Sequence, residues 1–177
     1  MPLLFAALAL SPAAFAQDQT PAAAMPAHKP VPASHGLNVI VEGRVTTLTI
    51  EDLTALPQVT LHVHNAHSNG DETYSGPLLA DVLAKGGLTL SSENQHMLLH
   101  SALVATGTDN YYVLYAGAEA FPDFSKGQII VAIMKSGLPD TDGGLIQLIN
   151  NTDKKPARWV HGLQNLSLMT ISQNPGH

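Results

Sequence analysis

Val59, Leu61 and Val63 alternate with Thr60, His62 and His64. That period of two predicts a half-buried strand with the apolar set facing the core and the threonine and histidines facing away. Similar short patterns recur along the chain, punctuated by glycine and proline. Asn38 to Gly43 predicts a strand running into a turn, and Val45 to Leu48 a second strand. Thr49-Ile50-Glu51-Asp52 is a helix-start signal, Leu53 and Leu56 supply an apolar face, and Pro57 ends the helix. Ser75-Gly76-Pro77 predicts the opening of another helix with a stripe of Leu78, Leu79, Val82 and Leu83, stopped by Gly86-Gly87.

Further on, Met97 to Ala105 reads as a strand, Gly107 to Asn110 as a turn and Tyr111 to Tyr115 as the returning strand. A short helix is expected around Ala118 to Phe121. Gln128 to Met134 is strongly apolar, as in a central strand. Turn chemistry follows at Ser136-Gly137-Leu138-Pro139 and Asp142-Gly143-Gly144, then a strand over Leu145 to Ile149. Arg158 to Ile171 holds one or two more, broken near Gly162. With about eight short strands and two or three short helices, the pattern predicts one mainly β domain of the α+β class.

The first residues differ. An apolar run from Met1 to Leu10 precedes Ala14-Phe15-Ala16, a small-x-small cleavage pattern. Residues 1–16 therefore read as a signal peptide and the protein as exported, to the periplasm, with no membrane insertion once the leader is removed. Residues 17–36 are rich in Pro and Ala and read as a linker. The domain is expected over 37–172, with a tail at 173–177.

Composition narrows the chemistry. The chain has 177 residues, a formal net charge of −6 and no cysteine. The acidic balance and the lack of a basic stripe exclude a nucleic-acid binder. Without cysteine there is no disulfide, thiolate nucleophile, iron–sulfur cluster or thiolate-bound molybdenum. No Gly-x-Ser-x-Gly elbow or P-loop is present. His62 and His64 share one strand face and His67 follows in the next turn, a spacing open to zinc or copper; exposed strand histidines are the simpler alternative.

Five stretches together resemble a known family: Leu48 to Leu53 with Leu56-Pro57; Tyr74 to Leu79 through Gly86-Gly87; Ala105-Thr106-Gly107-Thr108-Asp109-Asn110-Tyr111; Ile129 to Pro139; and Asp153-Lys154-Lys155-Pro156-Ala157-Arg158-Trp159-Val160. Their order is similar to that of the sulfite-oxidase-type molybdopterin-binding domain. The resemblance implies a mixed-sheet, barrel-like α+β fold and a pterin as cofactor, possible molybdopterin included. In the family's enzymes a cysteine after the Leu-Pro-x-x-x-x strand binds molybdenum; here that place holds Leu61-His62-Val63-His64-Asn65. The chain is thus similar to short exported versions that bind free pterins and report to the periplasmic domain of a membrane signalling enzyme. Two alternatives stand beside it: an oxidoreductase that holds its metal only through the pterin dithiolene, and a histidine-based metal binder.

A pterin needs a flat wall, an acceptor for its ring N–H groups and polar groups at its edges. Carried onto this chain, those roles fall to His64, Asn65, Asp109, Tyr111, Lys155, Arg158 and Trp159. Lys154, Lys155 and Arg158 match the loop that meets the cofactor's phosphate in the family. Each has a plainer role as well. A lone strand Trp is usually core, and an Asp in a turn usually makes the turn.

Overall fold

The structure, a computed structural model, describes residues 30–172. Their elements in chain order are β1 (Gly36–Val41), β2 (Arg44–Thr49), α1 (Ile50–Thr54), β3 (Gln58–Asn65), β4 (Gly70–Pro77), α2 (Leu79–Lys85), α3 (Gln95–Leu99), β5 (Ser101–Gly107), β6 (Tyr112–Ala116), β7 (Ile129–Ala132), β8 (Met134–Lys135), β9 (Gln147–Asn150) and β10 (Leu163–Thr170). Single 3₁₀ turns cover Gly117–Ala120 and Pro156–Arg158. The mainly β, α+β expectation matches this architecture.

The strands form a five-stranded sheet in the order β2-β1-β10-β5-β6, a three-stranded sheet β3-β4-β8 and a two-stranded ribbon β7-β9. Only β1 and β10 pair in parallel within the large sheet. No sheet closes on itself, so the barrel-like expectation is corrected to open, mixed sheets.

The ribbon lies between the two larger sheets. Every residue of β7 and β9 is buried. Ile129, Val131 and Leu148 join the main core with Leu37, Val39, Leu79, Leu83, Leu103 and Leu166. Ile130, Ala132 and Ile149 enter a second core with Leu61, Val63, Tyr74 and Trp159. A strand covered on both faces has no polar side, which explains the uninterrupted apolar run at 129–132.

Local chemistry sets several boundaries. Thr49 and Asp52 form a reciprocal capping box that starts α1. Gly76 is where β4 meets the ribbon: a Cβ there would lie 2.0 Å from the Val131 carbonyl oxygen. Only glycine lets the two backbones approach so closely.

Three readings change. Residues 70–77 form β4, whereas Pro77 was expected to open a helix; the proline instead ends the strand, and α2 begins at Leu79. Met97 to Ala105 splits into α3 and β5. Asn94 accepts from the Ser91 N–H and donates to the Thr89 carbonyl, and the turn it builds leads into α3. Arg158 belongs to a 3₁₀ turn rather than a strand. The packed chain also reaches back before Leu37: the Val31 N–H donates to the Asp142 carbonyl at 3.2 Å and the Ser34 N–H to the Gly144 carbonyl at 2.9 Å. Among the described residues no helix is long and apolar enough to cross a membrane. The expectations for residues 1–16 and 173–177, and for most of the linker, fall outside the described residues.

Candidate functional site

A cleft of about 960 Å³ opens where four connections converge. Its wall comprises Asn65 to Ser68 from the β3–β4 turn, Pro30 and Val31 from the N-terminal strap, Lys135, Asp140, Asp142 and Gly143 around and after β8, and Lys155 to Ala157 with His161 from the segment before β10. The volume suits a small organic ligand.

Asn65 shapes the first wall. Its Oδ1 accepts from the His67 N–H at 2.9 Å, folding the turn that carries His67 and Ser68 to the cleft. Its Nδ2 donates to Glu72 Oε2 at 2.9 Å. Glu72 also accepts from the Tyr74 hydroxyl at 2.8 Å and from Lys135 Nζ at 3.0 Å. Burial alone would raise the Glu72 carboxyl. The bonds from Asn65, Tyr74 and Lys135, with the lysine's charge, outweigh it and hold the group below its ordinary value. Burial, and then Glu72, push the Tyr74 phenol far up, so it stays a neutral donor. The Lys135 ammonium also sits 5.4 Å from the centre of the Tyr74 ring.

The opposite wall is a compact acidic loop. Asp140 Oδ1 accepts from the Gly143 N–H at 3.0 Å, and its Oδ2 from the Gln147 amide at 3.0 Å. Gln147 is 1% exposed, and its Oε1 is buried without a partner beside two cleft-lining residues. Such an acceptor calls for a donor.

The third wall is pinned from behind. Arg158 donates to Asp153 at 2.6 Å and to Glu119 at 3.3 Å, and its guanidinium lies 4.6 Å from the Tyr115 ring centre. The bond to Asp153 raises the arginine above its ordinary value. The Tyr115 hydroxyl donates to the Arg158 carbonyl at 2.7 Å, and the Tyr111 hydroxyl to the Ala157 carbonyl.

The sequence-predicted residues divide accordingly. Asn65 and Lys155 line the cleft, and so does His67. Tyr111 and Arg158 hold its wall from outside. Asp109 shapes its own turn, accepting from the Tyr111 N–H at 2.9 Å. Trp159 is 2% exposed, meets Tyr74 edge-on at 5.8 Å and donates to the Asn150 carbonyl at 3.0 Å. It sits in the second core, and its ring offers no flat wall to a ligand. His62 and His64 do face outward together, but they pair with Thr73 at 3.1 Å and Asp71 at 2.9 Å. Among the described residues no three His, Asp or Glu side chains gather to hold a metal ion. Lys135, Asp140, Asp142 and His161 were not singled out. Asp142-Gly143-Gly144 was visible only as turn chemistry.

No protein-family model matches the sequence, and no curated protein matches it. One solved structure with a similar fold is the sulfane dehydrogenase SoxCD from Paracoccus pantotrophus, with a TM-score of 0.57 and 16% identity. The match covers 76% of this chain and 38% of that one, so this chain spans well under half of its length. At that identity the likeness speaks for the fold alone.

A molybdenum held by a cysteine thiolate does not fit, because the chain has no cysteine. The pterin part does fit the donor set. Asp140 and Asp142 suit a ring edge rich in N–H groups, and Lys135 and Lys155 suit an anionic tail.

Proposed function

We propose that this protein is an exported, periplasmic binding module for a pterin-type heterocycle, which it senses or presents to a membrane signalling partner. One observation carries the reading. The cleft has Asn65 in its wall, at the end of the strand where the resemblance puts the family's metal-binding cysteine. The size of the cleft and its mixture of carboxylate and ammonium groups support the same ligand class.

Calorimetric titration of the purified protein with reduced and oxidised pterins, with and without a phosphate tail, tests it. Saturable binding is expected, and Lys155→Ala should weaken the phosphate-bearing ligand more than the bare ring. No binding by any pterin would sink the proposal. Stoichiometric molybdenum in the purified protein would instead favour an oxidoreductase that holds its metal through the pterin alone.

A further inference from the structure

β6 is an edge of the large sheet, bonded to β5 alone. The Gly107 N–H donates to the Tyr111 carbonyl at 2.8 Å. Bonded and non-bonded pairs alternate along an antiparallel ladder, so Val113 and Tyr115 turn their backbone groups to β5. Those of Tyr112, Leu114 and Ala116 then point away from the sheet. No hydrogen bond reaches that side of the strand from the other described residues.

Edges of this kind are usually blunted by a charge, a proline or a bulge. The opposite edge, β2, carries Arg44. β3 turns the polar Gln58, Thr60, His62 and His64 outward, and β8 contains Lys135. β6 has none of these devices. Its sequence is Tyr-Val-Leu-Tyr-Ala, with Tyr112 63% exposed and Leu114 55% exposed. The sheet face beside it is equally free of charge. Tyr112 registers with Thr106, and Thr106 with Asn165; Leu114 registers with Val104, and Val104 with Ser167.

We propose that this edge pairs with the same edge of a second copy of the chain. The two β6 strands run antiparallel about a two-fold axis at Leu114, joining the two large sheets into one. Such an interface is isologous, so each contact is made twice. The strand is complementary to itself in this register. Tyr112 faces the small Ala116 of the other copy, Val113 faces Tyr115, and Leu114 faces its own equivalent. Tyr112, Leu114 and Ala116 are the residues with outward backbone groups, so the hydrogen-bonding register and the size match agree. Charge argues the same way: two copies of a −6 chain repel over most of their surface, and this patch contributes nothing to that repulsion. The proposal does not depend on what occupies the cleft.

Sedimentation velocity of the full chain over a wide concentration range tests it. A reversible dimer is expected. Leu114→Lys places two like charges opposite each other at the axis and should abolish the dimer while circular dichroism stays native. Val45→Lys, on the far edge, should leave it intact. If Leu114→Lys fails to fold, Tyr112→Lys serves as the second variant, with the same loss expected. A monomer at all concentrations overturns the proposal, as does a dimer that survives a folded Leu114→Lys or Tyr112→Lys. A dimer broken equally by Val45→Lys also overturns it, because the contact would then be the sheet face rather than the β6 edge.

Discussion

The Lys135 ammonium and the Glu72 carboxylate meet at 3.0 Å in the wall of the cleft, and the same carboxylate gathers Asn65 and Tyr74 from the neighbouring hairpin. One acidic group thus ties β8 to β4 and to the end of β3. Glu72→Ala would remove the acceptor shared by Asn65, Ser68, Tyr74 and Lys135. A loss of about 1–3 kcal/mol is expected, the cost of leaving buried polar groups unsatisfied. Urea unfolding of the variant beside the unaltered protein measures it.

The same group predicts a pH dependence. Its folded value lies below its ordinary 4.5. A carboxyl depressed by folding stabilises fully above its unfolded value, and that contribution disappears as pH falls through the folded value. The unfolding midpoint should therefore drop as the solution is acidified through and below the ordinary glutamate range. In Glu72→Gln the drop should be shallower there. Urea melts at stepped pH decide this; parallel curves would show that Glu72 contributes nothing.

Gly76→Ala should be severe for a small substitution. The added methyl would meet backbone atoms, the Val131 carbonyl oxygen and the Ala132 Cα at 2.7 Å, and neither can rotate aside. The β7–β9 ribbon would have to move away from β4. Destabilisation of about 1–3 kcal/mol or more is expected for overpacking, read as a lower thermal midpoint.

Trp159 should report the core and not the ligand. Its burial predicts blue-shifted emission with little collisional quenching by acrylamide. Trp159→Ala should cost about 3–5 kcal/mol in stability, since it opens a large cavity and also orphans the Asn150 carbonyl. Ready quenching in the folded protein would contradict the buried placement.

The fold was largely legible where one face of a strand meets the core. Leu61 and Val63 are buried and His62 and His64 exposed, as the alternation required. β4 was not legible because it carries Tyr74 as its one large apolar residue before Pro77. Its polar side chains serve the Glu72 network, which no periodicity announces. The run from Met97 was ambiguous for the opposite reason. Consecutive apolar residues fit a strand or a buried helix equally, and a local turn at Asn94 decided between them.

At the site, Asn65 and Lys155 could be found because motif positions marked them. Lys135 and Asp140 come from β8 and the loop after it and His161 from the segment before β10, and only the packing of the sheets brings them to one opening. Trp159 misled because an indole beside a basic run looks like a ligand wall. The chain there makes a 3₁₀ turn that puts Arg158 outside and the indole inside.

The strap before β1 has a practical consequence. Pro30 and Val31 are part of the cleft, and Thr108 donates to the Pro32 carbonyl at 2.6 Å. A version trimmed to begin at Gly36 would keep every strand and still lose one side of its binding chamber. Weak binding by such a fragment would then measure the trimming. A fluorophore attached near Pro30 on the whole protein would stand at the rim, close enough to register an arriving guest without touching the strands beneath.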